Sequence, residues 1–289
     1  MELKGFIDLH SHTNASDGSL TPQELVELAK RIGLDALAIT DHETFAGYDE
    51  AVQFARAAGL DLVRGIELNT QLDLPGGTRR TLHLLAYFPS SSPSESFSRW
   101  VENQQNGRRE RNRALVESLR RQGLDISLEE VEARGRSLAG RPHFARILIE
   151  KGYARDHQDA FNRFIGEEAP AFVERLAPKT AEAIQVVRLG GGVPVIAHPV
   201  RLSISDTNEE RRVIRELSDA GLSGLEVIHS DQPPALQRHY LALAEECALL
   251  PTGGSDFHGS AKPNVHLGSG VEGNVRVPRE LLDRLRELK

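Results

Sequence analysis

Short apolar runs alternate with amphipathic segments over the first ninety residues of the chain. The runs GFIDLH, DALAIT, DLVRGIEL and TLHLLAYF have the length and composition of strands, and segments with helical periodicity separate the first three. The first helix has a complete start signal, because Thr21 can cap it, Pro22 suits its first position and Glu24 completes a capping box. The repeated order of strand, helix and strand predicts parallel strands with helices outside them.

The alternation stops between about Ser94 and Lys179, where the sequence reads as consecutive helices. It returns from Thr180 onward through the strand-like runs VPVIAHP, SGLEVIH and PTGGSDFH. We therefore predict a βα-repeat domain in two parts, residues 1–93 and 180–289, interrupted by a helical cap insertion at residues 94–179. Six or seven strands predict a barrel-like closure, and an open doubly wound sheet is the alternative.

Composition narrows the classes of partner. The 35 Lys and Arg residues against 42 Asp and Glu residues give a net charge of −7, which argues against stable binding to duplex nucleic acid. The chain has no run of 18 apolar residues, and Met1 to Lys4 do not begin a signal peptide, so we expect a cytoplasmic protein without membrane contact. Cys247 is the single cysteine, which excludes a disulfide within the chain.

Titratable residues gather at the ends of the predicted strands. His10 and His12 end the first strand, Asp41 and His42 end the second, and Glu67 ends the third. The later strands carry His83, His198, Glu226, His229, Asp256 and His258. A lone histidine at such a position is more often a hydrogen-bonded structural residue than a ligand. The whole set is different, because the carboxyl ends of strands are where βα-barrel active sites form.

Metal ions explain this set of side chains. Burying so many titratable groups without partners would cost several kcal/mol each, whereas imidazole nitrogens and carboxylate oxygens are ordinary ligands of divalent cations. His10 and His12 share one face of an extended strand, as do Asp256 and His258. Six of the histidines (10, 12, 42, 83, 198 and 258), with Asp17, Glu67 and Asp256, make nine candidate ligands, which predicts two or three ions. Without a thiolate, manganese, iron or zinc suits the nitrogen and oxygen ligands.

Five motifs carry a resemblance to a known family. In chain order, DLHSHTNASDG, AITDH, RGIE, IAHP and SDFH resemble the signature motifs of the polymerase and histidinol phosphatase (PHP) family. The resemblance implies a distorted (β/α)7 barrel that holds up to three divalent metal ions and hydrolyses phosphoesters. It implies a first ion on His10, His12, Glu67 and Asp256. It implies a second ion on Glu67, His83 and His198, and a third on Asp17, His42 and His258.

The helical insertion and its exit indicate a subgroup. GRPHFARILIEKGYA and APKTAEAIQVVRLGGGVPVIAHP resemble the branch that hydrolyses nucleoside 3′,5′-bisphosphates, whose relatives trim short oligoribonucleotides from the 5′ end. This predicts removal of the 3′-phosphate, for example from pAp to give AMP and phosphate, with manganese as the expected ion. A 5′–3′ exoribonuclease on short oligonucleotides, a histidinol-phosphate-type phosphatase and a non-catalytic nucleotide-binding module are the alternatives.

Catalytic and phosphate-binding roles follow for several residues. We expect Glu67 to bridge two ions that share and acidify an attacking water, with Asp256 beside them. His229 is a candidate proton donor to the leaving oxygen, or alternatively a structural histidine. Arg141 with His143, and Arg201, are candidate phosphate ligands, because a guanidinium offers phosphate a planar fork of donors. The alternative for Arg141 is an ion pair or a cap within the helical insertion.

One basic cluster leaves two interpretations open. Arg108, Arg109, Arg111 and Arg113 lie on one predicted helix, with glutamates nearby that offer partial compensation. Such a run is usually a solvated face. If it faces the cleft instead, it favours polyanionic substrates.

Overall fold

Eight strands form one sheet in this computed structural model, which describes residues 5–74, 77–135, 139–174 and 177–288. In chain order they are β1 (Phe6–Asp8), β2 (Ala36–Ile39), β3 (Asp61–Asp73), β4 (Arg79–Phe88), β5 (Val193–Ile196), β6 (Gly224–His229), β7 (Leu250–Gly254) and β8 (Val277–Pro278). The order across the sheet is β7-β6-β5-β4-β3-β2-β1-β8. Each predicted strand is present. The sequence did not predict β8, because two residues paired with β1 are too short to produce a pattern.

The two ends of the sheet meet just beyond β1. The Leu9 N–H donates to the Gly253 carbonyl at 3.2 Å, and the Asp256 N–H donates to the His10 carbonyl at 2.8 Å. A side chain at Gly254 would place its Cβ 2.3 Å from the His10 nitrogen, so only glycine permits this approach. The sheet is therefore nearly closed. This confirms the prediction of a distorted barrel and rules out the alternative, an open doubly wound sheet.

Strand direction corrects one expectation. The strands β1, β2 and β3 pair in parallel, as do β5, β6 and β7, but β4 is antiparallel to both β3 and β5. The prediction of parallel pairing is therefore wrong at β4. A short turn joins β3 to β4 in place of a helix, and a short connection between neighbouring strands reverses the chain. Pro75 and Gly76 of that predicted turn, like Met1 to Lys4, lie outside the described residues.

Helices cover the outside of the barrel. These are α1 (Pro22–Ile32), α2 (Ala46–Ala58), α7 (Thr180–Leu189), α8 (Thr207–Asp219), α9 (Pro234–Glu246) and α10 (Glu280–Glu287). The predicted start of α1 is confirmed, since Thr21 and Glu24 form a capping box and Pro22 is the first helical residue. Within the described ranges, no helix has both the length and the apolar character needed to cross a membrane.

Four helices lie between β4 and α7 and are called the cap below. They are α3 (Glu95–Arg121), α4 (Leu128–Gly135), α5 (Arg141–Glu150) and α6 (His157–Ala160), and a π-helical turn, Phe161–Ile165, follows them. Their buried side chains, among them Leu119, Phe144 and Leu148, form a hydrophobic cluster separate from those of the barrel. The domain limits at residues 94 and 179 stay a prediction.

Candidate metal centre

The first group of side chains converges just beyond the end of β1. The Nε2 atoms of His10 and His12 lie 3.4 and 3.1 Å from Oε2 of Glu67. The same two nitrogens lie 3.5 and 3.4 Å from Oδ1 of Asp256. The extended chain after β1 turns both imidazoles to one side, as the spacing of two residues predicts. These four residues form a buried set of two imidazoles and two carboxylates.

The other carboxylate oxygen of Glu67 belongs to a second group. Its Oε1 lies 2.7 Å from Nδ1 of His83 and 2.9 Å from Nε2 of His198. The antiparallel register explains the contact with His83, because His83 lies opposite Asn69, two residues beyond Glu67 on the same face of β3. Glu67 thus contacts one group of histidines through each of its oxygens.

A third group surrounds Asp17. Its Oδ1 lies 3.3 Å from Nε2 of His258, and its Oδ2 lies 3.6 Å from Nε2 of His42. The rings of His12 and His258 stack with centroids 4.1 Å apart, so this group adjoins the first. His12, Asp17, His42 and His258 offer ligand atoms within 4.8 Å of one another.

Asp41 holds the loop that leads to Asp17. Its Oδ1 accepts hydrogen bonds from the Thr13 N–H and the Ser16 hydroxyl, both at 2.7 Å. Its Oδ2 accepts from the Thr13 hydroxyl at 2.7 Å. With both oxygens used in this way, Asp41 orients the loop and joins none of the ligand groups among the described residues.

The electrostatics of the cluster favour positive charge. Burial alone would raise the pKa of Glu67, but His42, His83 and His10 hold that pKa well below its usual value. Burial would lower the pKa of His12, yet the nearby carboxylates of Asp256 and Glu67 raise it to about 9. The buried carboxylates therefore create a negative potential at the point where the imidazoles converge.

The donor atoms fit divalent cations. The buried nitrogens Nε2 of His10, Nε2 of His12 and Nδ1 of His42 have no hydrogen-bond partner within the described part of the chain. Unpaired buried polar atoms are costly in a folded protein, and coordination to a cation would satisfy all three. Nitrogen and oxygen ligands without a thiolate suit manganese, iron or zinc. The nine residues predicted as ligands all lie in this cluster.

A cavity of 370 Å³ opens beside the cluster and reaches the cap. Its lining includes Asp17, His42 and His83 of the cluster and Arg141 and His143 of α5. A second cavity of 250 Å³ is lined by His83, Arg141, His198 and Arg201. His83 and Arg141 line both cavities, so the two cavities adjoin at the cluster.

Arg141 is held by aromatic contacts. Its guanidinium carbon lies 5.8 Å from the ring centroids of both Phe161 and Phe172. No described side chain forms an ion pair or a hydrogen bond with this guanidinium. Burial lowers its pKa, and Glu167 is the acidic side chain that opposes this shift. The donors of Arg141 are therefore available to a ligand in the cavity.

The other predicted phosphate ligands are already engaged. Nδ1 of His143 accepts the Gly140 N–H at 3.0 Å. Arg201 donates from Nε to Oδ2 of Asp231 and from Nη2 to Oδ2 of Asp256, both at 2.8 Å. The contact with Asp256 connects Arg201 to the first ligand group.

His229 lies behind the cluster and is completely buried. Its Nδ1 accepts the Asp231 N–H at 3.0 Å, which leaves the proton of a neutral ring on Nε2. That Nε2 lies 3.5 Å from Oδ2 of Asp256 and has no hydrogen-bond partner among the described residues. His229 is thus close to Asp256, with its ring proton on the nitrogen nearer to that carboxylate.

A family model of the PHP domain matches residues 8–174. The chain belongs to the PHP family. The prediction made from the five motifs is confirmed, and the match includes the six predicted ligands that precede Arg141. The remaining predicted ligands, His198, Asp256 and His258, follow the matched segment and complete the same cluster.

Known relatives of this PHP protein act on phosphoesters. It is 31% identical over 276 residues to the 5′-3′ exoribonuclease Rnm of Escherichia coli, covering 92% of this chain and 91% of that protein. It is 28% identical over 265 residues to the 3′,5′-nucleoside bisphosphate phosphatase of Chromobacterium violaceum, covering 91% and 90%. A solved structure from Bifidobacterium adolescentis, described as a metal-dependent phosphoesterase, matches with a TM-score of 0.81 and 33% identity, covering 96% and 94%. The protein is a metal-dependent hydrolase of phosphoesters.

Three contacts of the PHP centre escaped the sequence analysis. Lys262 donates to Oδ2 of Asp256 at 2.6 Å, and Glu226 contacts His10. Arg108 of α3 donates to the buried carboxylate of Glu43 at 2.9 Å. A glutamate beside the AITDH motif and one within the GLEVIH strand were visible in the sequence, but their partners lie far away along the chain.

The arginines of α3 do not all face the same way: some face the cleft and others face solvent. Arg108 is buried, and both Arg108 and Arg111 line the larger cavity. Arg113 is exposed on the opposite side of the helix. Part of the cluster therefore faces the cleft and adds positive charge there, as a polyanionic substrate would require.

Proposed function

We propose that this PHP protein removes the 3′-phosphate from nucleoside 3′,5′-bisphosphates, giving a nucleoside 5′-monophosphate and phosphate. The observation that carries the proposal is Arg141, which faces the cavity beside the cluster without an ion-pair partner among the described residues. A substrate with two phosphates can place one at the cluster and the other at this guanidinium. The relative from Chromobacterium violaceum, named for this reaction, supports the assignment.

The cluster residues would hold the ions of the reaction. We assign one ion to His10, His12, Glu67 and Asp256, a second to Glu67, His83 and His198, and a third to Asp17, His42 and His258. Two or three divalent ions, manganese foremost, would supply an activated water and neutralise charge on the phosphate. Glu67 fits the bridging role, because each of its oxygens contacts a different set of histidines.

The other assigned roles concern binding and proton transfer. Arg141, supported by His143, grips the phosphate that is not cleaved, since a guanidinium can donate two parallel hydrogen bonds to it. Arg201 reaches the second cavity and holds Asp256. Hydrolysis breaks the bond between phosphorus and the 3′-oxygen, and that oxygen needs a proton. We assign the proton to Nε2 of His229, which the Asp231 N–H keeps in the required tautomer.

The second cavity favours a second candidate function. A phosphodiester carries a group on each side of the scissile phosphate, and His83 lines two cavities, of 370 and 250 Å³. A 5′–3′ exoribonuclease acting on short oligonucleotides would use both. The Escherichia coli relative, named as such an enzyme, agrees with this candidate.

A comparison of substrates tests the assignment. The manganese-loaded enzyme is given adenosine 3′,5′-bisphosphate, a 5′-phosphorylated RNA trinucleotide or histidinol phosphate, and kcat/KM is measured for each, with products separated chromatographically. We expect the highest value with the bisphosphate and AMP as its product. A higher value with the trinucleotide would make the exoribonuclease the main function. A higher value with histidinol phosphate would contradict both, and no turnover of any ester would favour a binding module.

A further inference from the structure

Glu43, the residue after His42, has an unusual backbone and a buried charge. Its φ is 54°, in the left-handed region that non-glycine residues seldom adopt. Its side chain is 1% exposed. A charged residue in this conformation persists only where its surroundings hold it on several sides.

The cap and β3 hold Glu43 from opposite directions. From α3, Nε of Arg108 donates to Oε2 of Glu43 at 2.9 Å, and Nε2 of Gln105 donates to its carbonyl at 2.7 Å. From β3, Nδ2 of Asn69 lies 3.4 Å from Oε1. The Glu43 N–H donates to the Glu67 carbonyl at 3.0 Å. Every polar group of Glu43 therefore has a partner on one of two elements.

These contacts fix the backbone next to His42, a predicted metal ligand. The residues on either side of His42 are tied to Glu67, because the Glu67 N–H donates to the Asp41 carbonyl at 3.3 Å. A rotation at Glu43 would therefore move the His42 imidazole away from Asp17. Arg108 is the residue of α3 whose guanidinium forms an ion pair with this carboxylate, at 2.9 Å.

We propose that the Arg108–Glu43 ion pair is a positioning contact through which the cap holds His42 in the group of Asp17, His42 and His258. The proposal rests on the assignment of a divalent ion to that group. A buried ion pair adds little net stability compared with an apolar pair, so its orienting effect is the better account of its presence. Residues that orient a metal ligand typically change metal affinity roughly 10- to 100-fold when they are replaced.

The test is a titration with Mn²⁺ alone, followed by calorimetry and by elemental analysis after gel filtration. Four variants are compared with the unmodified protein: Arg108→Met, Glu43→Gln, Arg113→Met and Asp17→Asn. Arg113 is the matched control, because it lies on the same helix with its side chain exposed. Far-ultraviolet circular dichroism and the melting temperature of the metal-free proteins establish that each variant is folded.

We expect Arg108→Met to weaken one Mn²⁺ site roughly 10- to 100-fold and to leave the tighter sites unchanged. Glu43→Gln keeps an acceptor for Nε of Arg108, so its Mn²⁺ affinity should fall less. Arg113→Met should bind Mn²⁺ as tightly as the unmodified protein. Loss of all sites together would show a general structural role and overturn the proposal. Should Arg108→Met fail to fold, Glu43→Ala, which removes the acceptor for Nε of Arg108, takes its place, and an unchanged Mn²⁺ titration of that variant would overturn the proposal.

Asp17→Asn separates this proposal from the assignment on which it depends. If Asp17→Asn loses an ion while Arg108→Met keeps full affinity, the ion site stands and the positioning role is wrong. If Asp17→Asn binds as many ions as the unmodified protein, the group holds no ion. The assignment then fails together with the inference drawn from it.

Discussion

Nδ1 of His10 lies 2.9 Å from Oε1 of Glu226, and both side chains are completely buried. The second oxygen of the same carboxylate accepts the His198 N–H at 2.7 Å. One residue of β6 thus orients two predicted metal ligands that belong to different groups. The contact also keeps the proton of His10 on Nδ1, so Nε2 is free to bind a cation.

Replacing Glu226 with Gln should weaken metal binding without unfolding the protein. The amide can accept a hydrogen bond from only one of its two present donors, so either His10 or the His198 backbone loses its partner. We expect Mn²⁺ affinity to fall roughly 10- to 100-fold in a calorimetric titration. Glu245→Gln, on the exposed face of α9, is the control. Equal affinities for both variants would exclude an orienting role for Glu226.

Replacing Glu67 with Gln tests the bridging assignment. The amide cannot serve two groups of histidines as the carboxylate does, so we expect turnover of the bisphosphate to fall on the order of 100-fold or more. The variant should also bind fewer Mn²⁺ ions by elemental analysis. Near-normal turnover in a folded, metal-loaded variant would place the chemistry elsewhere in the site.

Replacing Arg141 with Ala should separate substrate binding from chemistry. The lost charge-assisted contact is worth about 1.5–3 kcal/mol, which corresponds to a roughly 10- to 150-fold lower kcat/KM on adenosine 3′,5′-bisphosphate. Metal content should not change. The kcat/KM on nitrophenyl phosphate, which has no second phosphate, should fall little. An equal loss on both esters would assign Arg141 a general catalytic or structural role.

Arg163→Ala is the matched control for this variant. Arg163 also lies over a phenylalanine ring of the cap, with its guanidinium carbon 4.6 Å from the Phe164 centroid, but it is not among the residues that line the larger cavity. It should therefore leave kcat/KM on both esters close to the unmodified value. A loss as large as that of Arg141→Ala would indicate that any damage to the cap lowers activity.

Replacing Asp61 with Asn should lower stability in a pH-dependent way. Partial burial raises the pKa of Asp61, but hydrogen bonds and charges from Arg286 and Arg279 lower it by more. The pKa of Asp61 is therefore below its usual value. The ionised Asp61 therefore stabilises the folded protein above its unfolded pKa of about 3.9. This stabilisation is lost as the pH falls through the lower pKa of the folded state. We expect a loss of about 0.5–1 kcal/mol at pH 7, after allowance for solvent screening.

The melting temperature of metal-free protein between pH 7 and pH 3 measures this effect. The difference between Asp61→Asn and the unmodified protein should shrink towards the acid end of the range. Asp283→Asn is the control, because Asp283 is 57% exposed and contacts Arg279 alone among these arginines, at 3.3 Å. A difference that grows on acidification would contradict the lowered pKa.

Local patterns in the sequence determined the elements and the ligand set. Strand and helix periodicity, the start of α1 and the spacing of His10 and His12 depend on residues a few positions apart, so they are legible without tertiary contacts. The closure of the barrel then brought together the nine predicted ligands, eight of which the sequence had already placed in or next to strands, with Asp17 on the loop after β1.

Only the tertiary structure decided how those side chains are held. The reversal of β4 places His83 opposite Asn69 and within reach of Glu67, and it depends on a register that periodicity does not specify. Glu226 and His10 are 216 positions apart, and Arg108 and Glu43 are 65 apart. Such pairs leave no local pattern, because each partner alone is an ordinary glutamate, histidine or arginine. Their contact exists only once the barrel has closed and α3 lies across it.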